Sequence, residues 1–67
     1  MDISAKFGKR VRATRLKKKI SQADVAKLLG VHRSFVSQIE RGVVNLSLKN
    51  IEKLARALGV SPDKLLR

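Results

Sequence analysis

Arg33, Ser34, Ser37, Gln38 and Arg41 fall at i, i+1, i+4, i+5 and i+8. On a helix this spacing makes one stripe. The chemistry of such a stripe is hydrogen bonding to a flat, patterned edge. A guanidinium fork satisfies two acceptors, as on guanine. A Gln amide matches a donor–acceptor pair, as on adenine, and a Ser hydroxyl serves either way. The stripe contains no acid, as a surface facing phosphates requires. Covalent chemistry has far less to work with. His32 is the only histidine and there is no cysteine. The five acids, Asp2, Asp24, Glu40, Glu52 and Asp63, form no pair at a helical i+3 or i+4 offset. No catalytic residue, metal site, disulfide or cofactor is therefore expected.

The composition agrees with a binding role. The chain has 67 residues, with 16 Lys or Arg against 5 Asp or Glu and a net charge of +11. Eight of the basic residues lie in the first twenty positions, opposed there only by Asp2. A hydrophobic fraction of 43% suffices for a folded core, so the charge does not signal disorder. At this length one domain, residues 1–67, is the limit, and an enclosed substrate cleft has no room. A folded, strongly basic domain of this size points to a polyanion. No apolar run exceeds two residues, so no transmembrane helix or secretion signal is expected and the chain reads as cytoplasmic. The few apolar residues of its first helix are needed for the core, which argues against membrane attachment. No small-molecule ligand is expected.

Positioning the stripe requires helices, and the sequence predicts an all-α fold of five. Ile3, Phe7, Val11 and Thr14 share one face of a helix over Asp2–Lys18, with basic residues on the others. Lys17 to Lys19 form its solvated end, where cations suit the helix dipole. Ser21 caps a second helix, Gln22–Leu29, whose apolar face is Val25, Ala26 and Leu29. Gly30 stops it, and Val31 is expected to seal the turn. A third helix, His32–Arg41, turns Val36 and Ile39 inward and the polar stripe outward. Phe35 is expected to be partly buried, and His32 to act as a capping group rather than a contact. Val43 to Leu46 reads as a loop. Ser47 caps a fourth helix with the face Leu48, Ile51, Leu54, Ala55 and Leu58, ended by Gly59. Ser61-Pro62-Asp63 starts a short fifth helix carrying Leu65 and Leu66, which serve as core or as part of a dimer seam. Two helices joined through a tight glycine turn, over residues 21–42, make a helix-turn-helix arrangement.

Residues 7–66 resemble the Xre/Cro/CI-type helix-turn-helix family, which includes the lambdoid phage repressors. The resemblance is carried by Arg15, Ser21-Gln22-Ala23-Asp24-Val25-Ala26, Gly30-Val31, Val36-Ser37-Gln38-Ile39-Glu40-Arg41-Gly42 and Leu54-Ala55-Arg56-Ala57-Leu58-Gly59-Val60. Asn45-Leu46-Ser47-Leu48 and the small size are most similar to restriction–modification controller proteins.

This resemblance implies a lambda-repressor-like five-helix domain that binds double-stranded DNA with its third helix in the major groove. Arg33, Ser34, Ser37 and Gln38 match base-facing positions. Gln22, Asn45, Lys49 and Arg41 match positions facing phosphates. Val43 and Val44 depart from the polar residues common in that loop. Arg15 and Glu40 match a structural pair bridging the first and third helices. The implied function is transcriptional regulation, as a homodimer on a pseudo-palindromic operator. An antitoxin or another interaction module on the same fold is the alternative.

Overall fold

The computed structural model describes residues 3–67. Its five helices are α1 (Ile3–Lys17), α2 (Gln22–Leu29), α3 (Arg33–Arg41), α4 (Leu48–Leu58) and α5 (Pro62–Leu66). There is no strand among the described residues. The start of the first helix, expected at Asp2, lies outside them.

Local chemistry sets most of the boundaries. The Ser21 hydroxyl accepts from the Asp24 N–H at 3.0 Å, and the Ser47 hydroxyl from the Asn50 N–H at 3.2 Å. Each bond satisfies one of the backbone donors that a helix start leaves open. Ser61 sits at the cap position of α5 but uses its hydroxyl differently, donating to Asp63 Oδ1. His32 occupies the cap position of α3, one residue before the predicted helix becomes helical, and makes no side-chain cap bond. Its capping role is thus not realised. An imidazole lacks the short oxygen arm that lets Ser reach back to the third amide.

The helix ends share a pattern, with one exception in chemistry. The N–H groups of Val31, Val43 and Val60 reach back to Ala26, Gln38 and Ala55, each just past a glycine of positive φ. After α1 the same bond runs from Ile20 to Arg15, but the left-handed residue is Lys19, at φ 58°. A side chain in that conformation is strained by about 1–2 kcal/mol.

The core collects one face from every helix. Val11, Val25, Ala26, Val36, Ile39, Leu54, Ala55, Leu58 and Leu65 are buried, with Phe7, Ile20, Leu29 and Phe35 packed against them. α1 packs on α3 and α5, α2 on α3 and α4, and α4 on α5. Two residues assigned to apolar faces stand outside this core. Ile3 is 80% exposed and Leu48 82%. Each lies in the first turn of its helix, and the next residue along its face, Phe7 or Ile51, is itself only partly buried, so correct angular position is not enough. Val31, at 38% exposure, covers the turn only partly. Leu65 is buried, as the core reading expects, and Leu66 is exposed.

Candidate nucleic-acid interface

Gly30 adopts φ 73° and ψ 34° and reverses the chain between α2 and α3. Val36 and Ile39 then anchor α3 in the core. The 100° step per residue leaves the opposite face outside. Arg33, Ser34, Gln38 and Arg41 are exposed on it, and Ser37 is half-buried. The structure thus keeps the five stripe residues together on one accessible face. Asn45 lies in the loop after α3 and Lys49 in the first turn of α4, both exposed. Asn45 Oδ1 accepts from the Ser4 hydroxyl at 3.2 Å. That bond holds the side chain while its amide hydrogens remain the donors a phosphate needs.

Glu40 is the one acid on α3, and its placement decides the electrostatics of the face. Arg15 Nε donates to its Oε2 at 2.6 Å and Arg15 Nη2 to its Oε1 at 3.1 Å. The two side chains are 11% and 4% exposed. Arg15 Nη1 also donates to the Ile20 carbonyl at 2.9 Å. The pair is therefore bidentate, charge-assisted and further anchored to backbone. A carboxylate that would repel phosphates is turned inward and neutralised, and the outer face keeps Arg33 and Arg41 without an acid. No buried side-chain nitrogen or oxygen among the described residues lacks a partner.

Gln22 belongs to the same network. Its Nε2 donates to Glu40 Oε1 at 3.1 Å. The side chain expected to meet a phosphate at the start of α2 thus ties α2 to α3, with one amide hydrogen left for any outside acceptor. Sequence reasoning missed this link because Gln22 and Glu40 are 18 residues apart.

Gly8 was missed as well. It is buried in the middle of α1, where a Cβ would strike the Ile39 carbonyl and come within 2.7 Å of the Glu40 carbonyl oxygen. Gly42 makes the second close approach, with a positive φ of 74° and a Cβ position 2.8 Å from Ala5 N. These two glycines let α1 lie against the C-terminal part of α3. A glycine inside a helical pattern is the available signal for such an approach.

A short, well-anchored helix after a tight glycine turn, with a donor-rich and acid-free outer face, defines a helix-turn-helix domain of the DNA-binding regulatory class. The family model described as helix-turn-helix matches residues 11–65, and the chain belongs to that family. The chain is 51% identical over 61 residues to control protein C.BamHI of Bacillus amyloliquefaciens, covering 90% of this chain and 75% of that protein. It is 43% identical over 61 residues to repressor protein C2 of Salmonella phage P22, covering 91% of this chain and 28% of the repressor. Among solved structures, the restriction-modification controller protein C.AhdI of Aeromonas hydrophila superposes with a TM-score of 0.87 at 49% identity, covering 91% of this chain and 92% of that one.

Proposed function

We propose that this protein is a transcriptional regulator of the restriction–modification controller type, acting in the cytoplasm as a homodimer on a pseudo-palindromic operator. α3 enters the major groove. Arg33, Ser34, Ser37 and Gln38 read base edges there, while Arg41, Asn45, Lys49 and the remaining amide hydrogen of Gln22 meet phosphates. The observation that carries the reading is the buried Arg15–Glu40 pair, which leaves the outer face of α3 free of negative charge. The likeness to proteins named as controllers supports the narrower assignment.

Two arguments support the dimer. One recognition helix reads only a few base pairs, so useful specificity needs two half-sites about 34–36 Å apart. The fold also leaves an open, mainly apolar hollow lined by Ile3, Phe7, Val44, Leu46, Ile51 and Leu66, with Ser4 and Asn45 on its lining and Leu48 exposed one turn before Ile51. A contiguous apolar surface of this kind on a small domain marks an interface. The misfit residues Ile3, Leu48 and Leu66 thereby acquire a common role.

Selection of bound oligonucleotides from a random duplex pool tests the reading. The expected product is an inverted repeat, with Arg33→Ala relaxing one base position at a cost of about 1–3 kcal/mol. Lys49→Ala is expected to weaken all sequences alike. Recovery of no preferred sequence, or an unchanged ratio of specific to non-specific affinity in Arg33→Ala, overturns it.

A further inference from the structure

A second basic surface lies away from α3. Arg10, Lys17 and Lys18 of the C-terminal half of α1 and the following turn meet Lys64 and Arg67 of the chain's end across an open groove. No Asp or Glu side chain lines it. The Arg10 guanidinium is held in place, with Nη2 donating to the Arg67 carbonyl at 2.9 Å. Arg67 pairs with Asp63 at 3.1 Å, but Lys17, Lys18 and Lys64 form no ion pair among the described residues. Three uncompensated lysines, with Arg10 beside them, thus converge from two elements on one trough.

The groove faces a different direction from the recognition helix. α1 turns Gly8 and Arg15 towards α3. Arg10 and Lys17 each follow two residues later, about 200° around the helix axis. A duplex seated against α3 in one half-site therefore does not lie in this groove.

We infer that the groove is a second, sequence-indifferent polyanion site that takes the phosphate backbone of a second duplex segment while α3 engages the first. Arg10 and Lys17 are separated by about 10 Å along α1, which spans about three phosphates of one strand. The unpaired cations are all lysines, point charges that bind phosphate without selecting bases. The lining offers one apolar side chain, Val60, and no aromatic. It lacks the anchor pocket on which a protein partner's affinity usually depends. The protein would then hold two stretches of DNA together. This inference rests on the α3 reading for the first duplex only.

Lysine acetylation read by mass spectrometry tests it in two steps. The protein is first saturated with the duplex recovered by selection, and a short random-sequence duplex is then added. Protection of Lys49 is expected in the first step and of Lys17, Lys18 and Lys64 in the second. Lys17→Gln/Lys18→Gln/Lys64→Gln is expected to weaken the second step by about tenfold or more and to reduce its salt slope by about two to three, with the first step changed less than about twofold. Arg33→Ala/Gln38→Ala is expected to alter the first step alone, so the two readings fail separately. If selection recovers nothing, the α3 reading falls, and the random duplex alone still reports on the groove. The inference is overturned if Lys17, Lys18 and Lys64 stay unprotected, or if they are protected in the first step by flanks of the same duplex. Stronger protection by polyglutamate than by DNA of equal charge overturns it in favour of an acidic protein.

Discussion

Two seams hold the recognition helix and the rest of the domain together, and they are built from opposite materials. The seam around α4 is apolar. Leu54, Ala55 and Leu58 pack into the core with Leu65 of α5, and exclusion of water is its whole chemistry. The seam between α1 and α3 is polar and close. Gly8 and Gly42 bring backbones together, and Arg15, Glu40 and Gln22 form a buried network. Apolar packing tolerates small shifts of position, whereas a bidentate ion pair has one good geometry. The α4 seam supplies stability in bulk. The α1–α3 seam sets where α3 points, and the proposed reading of bases depends on that orientation.

Breaking the polar seam from one side should have the largest effect. Arg15→Met leaves the Glu40 charge buried beside Gln22 alone, and a loss of about 3–5 kcal/mol is expected. The whole domain is worth only about 3–10 kcal/mol at its size, so this variant is expected to lose a large share of its stability. Glu40→Gln strands the Arg15 guanidinium in the same way. In urea denaturation the double variant Arg15→Met/Glu40→Gln should recover part of the single-variant loss. Additive losses below about 0.5 kcal/mol each would mean that the pair behaves as a solvent-exposed one.

Leu54→Ala attacks the apolar seam. A cost of about 2–5 kcal/mol is expected from lost burial and the cavity left behind. The molecules that remain folded should keep their base preference. A changed preference in Leu54→Ala would erase the distinction between the seams.

Gly8→Ala should do the reverse in kind. Its methyl group meets two backbone carbonyls that cannot rotate away, and about 1–3 kcal/mol of strain is expected. Operator selectivity should fall with it, because relief requires α3 to move. Thermal melting together with binding to matched and mismatched duplexes separates the two effects.

Lys19→Gly sharpens the comparison from outside both seams. It removes the left-handed strain at the end of α1 without touching α3, and a gain of about 1 kcal/mol is expected. For a domain of this size that raises the melting temperature by about 4–8 °C, with base preference unchanged.

The smallest effect belongs to pH. The Ser61 hydroxyl donates to the Asp63 carboxylate and holds it below its usual range, with Arg67 acting in the same direction and desolvation opposing. The folded pKa is the lower one, so the carboxylate contributes stability above its unfolded value. That contribution disappears as pH falls through the lowered folded value. Asp63→Asn should flatten the acid limb of a melting-temperature profile slightly, while the outer face of α3 is unaffected.

Legibility from sequence differs between the two seams. The faces of α2, α3 and the later turns of α4 follow from apolar spacing, and the core confirms Val25, Val36, Ile39, Leu54 and Leu58 as inward. Ser21, Ser47 and the glycines after α2, α3 and α4 announce their boundaries within a few residues. The outward stripe of α3 was legible for the same reason, since fixing the apolar face fixes its opposite. The polar seam was legible only in part. Arg15 and Glu40 were paired through a resemblance, whereas Gln22 and Gly8 gave no such indication. Nor did anything local mark Lys19 as the residue to turn left-handed.

Residue types and their spacing determined, by themselves, that this chain makes short amphipathic helices, where most of them stop, and that one carries an acid-free row of hydrogen-bond donors and acceptors. These are local matters, settled by periodicity and by hydrogen bonds spanning three or four residues. Only the tertiary structure decided that Glu40 is buried, that Arg15 and Gln22 both donate to it, and that Gly8 admits α3 to contact. It also decided that Ile3 and Leu48 stay outside, and that Arg10, Lys17 and Lys64 meet in one groove. Each of these depends on a distance between residues remote in the chain, and charge neutralisation, steric contact and burial are functions of that distance.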